Sequence, residues 1–229
     1  MSRQKSIEAL ISKCQQSFGD LKQDYQTSLD EKKVSEELKI DIKNIFENLR
    51  SCLDYMAHGI HEKCVDSSPP QRLYFPIRSS HNDFCQVMKI DYTGIDTSFP
   101  KVFNILESIQ PYNDEWLGKF NKLNNNNKHQ DLEEQTRTET KRVTVSSKQG
   151  GSSVSWGSGV TFGSGVSVMG VPIDPKTQMP VPNKTTDTKV EIWVDFKFRE
   201  NGESVLPFIK KSIDSVERIF KDLADDIYG

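Results

Sequence analysis

The chain has 229 residues, which is enough to bury a large hydrophobic core as one domain or as one domain with a long insertion. Only 34% of the residues are hydrophobic, the mean hydropathy is -0.62, the formal net charge is -3 and the pI is about 5.9. This composition suits long amphipathic helices, and it excludes a protein whose overall positive charge attracts nucleic acid non-specifically.

Two long helices are predicted at the start of the chain. Apolar side chains recur every three or four residues over positions 5–29 and again over about 35–64, which is the spacing of an amphipathic helix. Because only the charged turn at 30–33 separates the two helices, we expect them to be antiparallel neighbours. The sequence Ser-Ser-Pro-Pro at 67–70 ends the second helix, and the apolar residues 73–77 predict an extended segment after it.

Three further helices are predicted before residue 135. Ser80 has the character of an N-cap and predicts a short helix over about 80–90, and another short helix is expected over 100–109. Residues 114–134 begin as an amphipathic helix. We expect the four asparagines at 124–127 to interrupt that helix, because asparagine side chains compete for backbone hydrogen bonds.

From about residue 138 the hydrophobic pattern alternates, as it does in a half-buried strand. The alternation is clearest at 143–145 and 190–198. Between these positions lies a six-residue near-repeat of apolar triplets separated by Gly-Ser-Gly, which predicts one or two irregular, glycine-kinked strands. Residues 172–182 are expected to form an exposed loop, and a last amphipathic helix is expected over about 206–226.

Together these elements predict an α+β fold that is mainly α. We expect a helical bundle of long antiparallel helices with a small antiparallel β-insertion before the C-terminal helix. The predicted organisation is a single domain over 1–229, with the bundle at 1–136, the β-insertion at 137–202 and the returning C-terminal helix at 203–229.

The helix predicted over 35–64 carries a row of polar residues beside its apolar stripe. With Arg50 placed at zero, Asp54 lies at about 40°, His58 at about 80° and His61 at about 20° around an ideal helix. A partly desolvated guanidinium requires an anionic partner, and Asp54 is one turn away. Two interpretations stay open: a polar functional site, or an ion pair between Arg50 and Asp54 that braces the bundle while both histidines are solvated.

A second candidate site is the asparagine-rich stretch that ends in Lys128 and His129. Asn127 continues the apolar stripe of its helix, so the buried face becomes polar at that point. A buried amide must be hydrogen-bonded, and Arg50, Asp54 or Tyr55 across the bundle can supply the bond. The alternative is a polar helix end with an exposed His129.

The same predicted helix also carries residues that can bind a metal or act as thiol nucleophiles. His58, His61 and Cys64 place three ligands on one to two turns, with Glu62 as an alternative to the thiolate. A closed zinc site requires a fourth ligand from elsewhere in the chain, and we expect neither a metal nor a cofactor. A helix interior buries a thiol and raises its pKa, so Cys52 and Cys64 are not expected to act as nucleophiles.

The cysteines and the N-terminus bear on the cellular compartment. The four cysteines form no Cys-x-x-Cys pair, and a chain of this length needs no disulfides, so we expect reduced, mostly buried thiols. The first residues, MSRQKSIEALISKC, contain no apolar leader region, and no apolar run has the length of a membrane span. We therefore expect a cytoplasmic protein without a membrane partner.

Three short motifs carry a resemblance to known proteins. They are LRSCLDY at 49–55, Phe-Pro-Ile at 75–77 and Asn-Lys-His at 127–129. The combination resembles a group of uncharacterised bacterial proteins that have a Leu-Arg-Ser-Ala-Leu-Asp-His helix and a later Asn-Lys-His motif. Over about 35–135 the chain is similar in turn to the HEPN superfamily of small helical bundles.

The HEPN resemblance implies a ribonuclease site that this chain matches only in part. Active HEPN domains are metal-independent ribonucleases that often pair as dimers, and their signature is an arginine followed, after four to six residues, by a histidine. The histidine is the base for the ribose 2′-hydroxyl, and the arginine stabilises the phosphorane charge. Arg50 matches the arginine. The histidine positions hold Tyr55, Met56 and Ala57, and His58 lies one step further along.

Three hypotheses follow from the resemblance and the composition. The first is a non-catalytic HEPN-like module, in bacterial defence or stress, that binds a nucleotide, RNA or protein partner; Tyr55 and the acidic pI favour it. The second is a metal-independent ribonuclease, acting as a homodimer. The third is a structural protein that oligomerises, with its β-insertion pairing with a partner strand. The expected ligand-binding residues are Asp54, Tyr55, Asn127 and Lys128. The expected catalytic residues of the ribonuclease are Arg50, His58 and His129.

Overall fold

The computed structural model describes most of the chain. The described backbone covers residues 3–30, 35–129, 135–148, 150–157, 159–198 and 201–229, and within it the side chains of 28–30, 126–129, 135–141 and 191–194 lie outside the description. The chain divides into two compact units. One comprises Met1–Thr136 with Lys197–Gly229, and the other comprises Arg137–Phe196.

The described residues form seven helices and two three-stranded sheets, and the sheets precede the last helix. The predicted fold class, α+β and mainly α, is confirmed. The helices are α1 Arg3–Asp30, α2 Glu36–Cys64, α3 His81–Asp91, α4 Ile95–Ser98, α5 Pro100–Ser108, α6 Glu115–His129 and α7 Val205–Tyr228. No helix in the described part of the chain is long and apolar enough to cross a membrane.

Helices α1 and α2 form an antiparallel pair. The Cys14 thiol of α1 contacts the Ile45 carbonyl oxygen of α2 at 3.7 Å. Closer to the start of α1, the Ile7 carbonyl oxygen is contacted by the Cys52 thiol of α2 at 3.9 Å. The earlier residue of α1 contacts the later residue of α2, so the two helices run in opposite directions. Helix α7 packs against both helices with a stripe of buried apolar side chains.

Aromatic rings fill the space between α2, α6 and the start of α7. The ring centroid of Phe46 on α2 lies 5.7 Å from that of Phe120 on α6 and 6.1 Å from that of Phe208 on α7. The Trp116 indole donates to the Ser212 hydroxyl at 3.0 Å, so this buried ring keeps a polar partner. These contacts hold α6 against α2, and they set the distance between the polar residues of the two helices.

Helix α6 continues through the asparagines at 124–127, so the expected interruption is wrong. Asn124 is buried, and its Nδ2 donates to the Phe46 carbonyl oxygen of α2 at 3.2 Å. Because this amide bonds to the neighbouring helix, it does not compete for the backbone of its own helix. Residues 130–134, which the sequence also placed in this helix, lie outside the described residues.

The strands form two small antiparallel sheets with the orders β2-β1-β6 and β3-β4-β5. Their bounds are β1 Gln135–Ser147, β2 Ser153–Gly157, β3 Ser167–Val168, β4 Val171–Asp174, β5 Met179–Pro180 and β6 Thr186–Phe198. Within the Arg137–Phe196 unit, a small core forms around Val143, Val145, Trp156 and Ile173. Of the three repeated triplets, the first lies in β2 and most of the third in β3. The middle one, at 160–162, lies in no strand.

The expected exposed loop over 172–182 is wrong. Residues 172–174 and 179–180 of this range belong to β4 and β5, which pair with Ile173 opposite Pro180, and Ile173 is buried in the small core. Prolines at strand positions conceal the alternation that usually marks a strand. The turn between the strands is closed by Asp174, whose Oδ1 accepts the Lys176 N–H at 2.8 Å.

Candidate ligand-binding site

Arg50 and Asp54 form an ion pair on α2. The distance from Arg50 Nε to Asp54 Oδ2 is 3.3 Å, and the distance from Arg50 Nη2 to Asp54 Oδ1 is 3.2 Å. The two side chains are 12% and 23% exposed, so both charges are largely desolvated. A charge in such a position requires a partner, and each group supplies the other's.

Both members of the pair also bond to neighbouring elements. Arg50 Nη1 donates to Asn121 Oδ1 of α6 at 2.9 Å. Asp54 Oδ1 accepts the Phe75 backbone N–H at 3.0 Å. The pair therefore connects α2 to α6 and to residues 73–78, which we call the 73–78 segment. This segment is the extended stretch that the sequence predicts before α3.

The 73–78 segment pairs with no strand among the described residues, and side chains bind its backbone instead. The Tyr92 hydroxyl donates to the Tyr74 carbonyl oxygen at 3.1 Å. The fully buried Gln110 amide donates to the Pro76 carbonyl oxygen at 2.8 Å, and its Oε1 accepts the Arg78 N–H at 2.9 Å. Burial raises the pKa of Tyr92 above its ordinary value, so the phenol keeps the proton that it donates.

A cavity of about 330 Å³ lies where α2, α6 and the 73–78 segment meet. It is lined by Arg50, Asp54, Tyr74, Phe75, Ile77, Arg78, Asn121 and Asn125. Two guanidinium groups and one carboxylate give this lining a net positive charge. Asparagine amides and an aromatic ring complete it, which makes a small concave site with a few convergent polar groups.

The two arginines of the cavity are bound very differently. Arg50 donates through Nε to Asp54 and through Nη1 to Asn121, and its Nη2 lies 3.2 Å from Asp54 Oδ1 within the ion pair. Arg78 donates through Nη1 to the carbonyl oxygen of Ile77 at 2.8 Å. Among the described residues, Arg78 has no carboxylate within ion-pair distance. Its charge is therefore not neutralised by a described side chain.

The other residues predicted on α2 do not line the cavity. Tyr55 is 39% exposed, and His58 is half-buried. His61 is 2% exposed, and its ring centroid lies 6.3 Å from that of Tyr92. Burial lowers the pKa of His61, with a smaller contribution from nearby His58, so its imidazole is held neutral.

The other candidates of α6 lie at the edge of the description. The backbone of α6 extends to His129, but the side chains of Asn127, Lys128 and His129 lie outside the described residues. The amides that α6 contributes to the cavity are Asn121 and Asn125, which the sequence reasoning missed. Their spacing of four residues, on one helix face, is the signal that identifies them.

The structure also shows where the possible metal ligands and the cysteines lie. Among the described residues, no group of three or more histidine, cysteine, aspartate or glutamate side chains is placed to hold a metal ion. Cys14, Cys52 and Cys64 are buried and free. Burial raises the pKa of Cys14 and of Cys52 to about 12 and that of Cys64 to about 11, so these thiols stay protonated at neutral pH.

No protein-family model, curated protein or solved structure matches this chain. The resemblance to HEPN proteins therefore stays a prediction that rests on the motif residues.

Proposed function

We propose that this chain is a non-catalytic, HEPN-like helical module that binds a nucleotide, either free or at the end of an RNA strand, in the cavity beside Arg50. The observation that carries the proposal is the Arg78 guanidinium, which lines the cavity without a described carboxylate partner. Such a group favours an anionic ligand.

The charges of the cavity suit a phosphate group. The planar fork of an arginine can bind two oxygens of one phosphate, and a hydrogen bond of this kind is stronger than one between neutral groups. Arg78 offers this fork, and Arg50 offers the N–H groups of its terminal nitrogens that do not bond to Asn121. Asp54 does not cancel this attraction, because its carboxylate already accepts from Arg50 and from the Phe75 N–H.

The neutral groups of the cavity suit a nucleobase. Tyr74 is 58% exposed beside the cavity and presents a ring on which a base can stack. The Asn125 amide is exposed and can pair with the edge of a base. A volume of about 330 Å³ is at the lower end of the range for small-molecule sites, which favours a ligand of one nucleotide over a longer one.

Binding without catalysis follows from the arrangement of the acids and bases. Asp54 is the one carboxylate in the described lining, and both of its oxygens already accept hydrogen bonds, from Arg50 and from the Phe75 N–H. Met56 and Ala57, at positions where HEPN ribonucleases have their histidine, are fully buried. Tyr55 holds the remaining position, and a phenol is a poor general base at neutral pH.

The proposal is tested by titrating the protein with nucleoside monophosphates and with the matching nucleosides, using calorimetry. We expect binding that requires the phosphate and that weakens by about tenfold to a hundredfold in Arg78→Ala, since hydrogen bonds to charged groups contribute about 1.5–3 kcal/mol. Arg72→Ala is the matched control, because Arg72 is exposed and does not line the cavity. An equal loss in both variants, or equal binding of nucleosides and nucleotides, would contradict the proposal.

The ribonuclease hypothesis has its own assay. Mixed-sequence RNA is incubated with the protein in EDTA, beside the variants Arg50→Ala, His58→Ala and His129→Ala. We expect no cleavage by the wild-type protein. Cleavage that is lost in Arg50→Ala and in one histidine variant would instead establish a metal-independent nuclease.

A further inference from the structure

A second cluster of reactive side chains lies at the start of α3, away from the residues that line the Arg50 cavity. Helix α3 begins at His81, after the N-cap Ser80, whose hydroxyl accepts the Asp83 N–H at 3.2 Å. Cys85 follows His81 by four residues, so the two side chains lie one above the other on the same helix face. Cys85 Sγ lies 3.4 Å from His81 Nε2 and 4.0 Å from His81 Nδ1, so the sulfur contacts the imidazole beside Nε2 and not along the outward axis of that nitrogen.

A carboxylate from another helix holds the opposite side of the imidazole. Glu107 of α5 places Oε1 at 2.8 Å from His81 Nδ1. A carboxylate oxygen only accepts, so the proton of a neutral imidazole is assigned to Nδ1 and the lone pair to Nε2, which is the ring nitrogen nearer to the thiol. A thiol, an imidazole and a carboxylate in this order are a nucleophile, its base and the group that orients the base.

Cys85 differs from the other three cysteines in exposure. Cys14, Cys52 and Cys64 are buried, whereas Cys85 is half-buried. A reagent in solution can therefore reach Cys85 without opening the helical bundle. The chain thus carries its one described imidazole–thiol contact on its one accessible cysteine.

The surroundings of Cys85 offer room for a small apolar group. A cavity of about 130 Å³ is lined by Cys85, Met88, Lys89, Thr93, Gly94, Ile95, Asp96 and Phe103. Met88 and Ile95 are buried, and with Phe103 they form an apolar wall. The space suits a short acyl chain, because one water molecule occupies about 30 Å³ in the liquid.

A hydrogen-bond donor without a partner lies next to the imidazole. The ring of Tyr112 packs edge-on against that of His81, with centroids 6.1 Å apart. The Tyr112 hydroxyl is buried and has no hydrogen-bond partner among the described residues. Burial and the charge of Glu107 raise the pKa of Tyr112, so this phenol stays protonated and can donate.

We propose that Cys85 is a nucleophile that accepts a short acyl group from an activated ester or thioester, with His81 as its base and Glu107 as the positioning carboxylate. In the forward step the side chains of Cys85 and His81 rotate until the thiol meets the Nε2 lone pair, the thiol proton moves to Nε2, and a sulfur electron pair forms a bond to the carbonyl carbon. The bond from that carbon to the leaving oxygen or sulfur then breaks. The leaving group departs with the proton from His81, and the product is an acyl thioester on Cys85.

The test uses p-nitrophenyl butyrate as the acyl donor. We expect release of about one p-nitrophenol per chain, and one butyryl group that peptide mapping locates on Cys85. Cys85→Ala removes both signals. His81→Gln slows acylation by about a hundredfold, at the low end of general-base contributions. Glu107→Gln slows it less, and Glu107→Asp restores part of the loss, which a merely structural role of Glu107 does not predict.

Two measurements separate this proposal from an ordinary exposed thiol. Cys64→Ala is the matched control and is expected to acylate at the wild-type rate, since Cys64 is buried on α2. Melting curves of all variants show whether each one folds, and alkylation of Cys85 by iodoacetamide reports the thiol without using the small cavity. The proposal would be overturned if the acylation rate, and likewise the alkylation rate, were the same in wild type, His81→Gln and Glu107→Gln. Butyryl groups spread over several cysteines would also overturn it. The nucleotide titrations above are independent of this outcome.

Discussion

Two walls of the Arg50 cavity, α2 and the 73–78 segment, each contribute a guanidinium group, but only the one on α2 is paired with a carboxylate among the described residues. On α2, the Arg50 guanidinium is 12% exposed and bonds to Asp54 and Asn121. On the 73–78 segment, the Arg78 guanidinium bonds only to the carbonyl oxygen of its neighbour Ile77 among the described groups. The comparison indicates that Arg50 stabilises the fold, whereas Arg78 is available for a ligand.

The difference follows from the elements that carry the two residues. A long helix packed on both sides buries the stem of Arg50, so its charge must be matched within the protein. On the 73–78 segment Arg78 is only half-buried, so water solvates part of its charge. A guanidinium that is not matched inside the protein can exchange its water for a phosphate.

The largest expected effect is on the α2 wall. Arg50→Ala leaves the Asp54 carboxylate half-buried without its cation, and we expect the free energy of unfolding to fall by about 3 kcal/mol. Urea denaturation followed by circular dichroism measures this change. The double variant Arg50→Ala with Asp54→Ala is the control. It should lose less free energy of unfolding than the two single variants together, because the double variant leaves no unpaired charge behind. Strict additivity would show that the two groups do not depend on each other.

The next effect tests how the 73–78 segment is held. Gln110→Leu removes the amide that bonds to the Pro76 carbonyl oxygen and to the Arg78 N–H. We expect a loss of about 2 kcal/mol in the free energy of unfolding, because buried backbone groups lose their partners. Faster amide exchange over 73–78 should accompany it.

Gln110→Glu is the matched control for this substitution. It keeps the shape and one acceptor, but the buried carboxylate cannot donate to Pro76 when it is ionised. If both variants kept the wild-type stability and amide exchange, the segment would be held by packing alone.

Much of the helical framework could be predicted from local signals. Helix α2 is predicted over 35–64 and runs over Glu36–Cys64. The prediction succeeds because the signals for this helix, its apolar spacing and its Ser35 cap, both lie in the local sequence. The pair of Arg50 and Asp54 was expected for the same reason, since a spacing of four fixes their separation on any helix.

The partners that come from distant elements could not be predicted in this way. Gln110 bonds to backbone groups more than thirty residues earlier in the chain, and no spacing rule connects an amide to a carbonyl so far away. The sequence does not single out Asn121, because the apolar stripe of α6 continues to Asn127 and Asn121 lies beside that stripe. His81 and Cys85 have a readable spacing, but the position of Glu107 depends on how α5 packs against α3.

A smaller effect concerns the imidazole behind the α2 wall. His61 lies against Tyr92, whose hydroxyl holds the 73–78 segment. Because burial lowers the folded-state pKa of His61 below its ordinary value of about 6.5, the unfolded chain binds a proton first as the pH falls. The free energy of unfolding should therefore fall as the pH drops below about 6.5 and be constant in this respect above it. Denaturation curves between about pH 7 and 5 test this, and His61→Leu should flatten the dependence more than His58→Gln does.

The smallest expected effect decides whether the two arginines truly differ. Arg78→Ala should change the free energy of unfolding by less than about 1 kcal/mol, because a half-buried side chain with one hydrogen bond to the backbone of its neighbour stabilises little. The same variant should lose the phosphate-dependent binding, and Arg78→Lys should recover only part of it, since an ammonium keeps the charge but not the planar fork. A loss of stability in Arg78→Ala as large as in Arg50→Ala would make both arginines structural. A loss of binding without a loss of stability assigns the ligand to the 73–78 segment and the fold to α2.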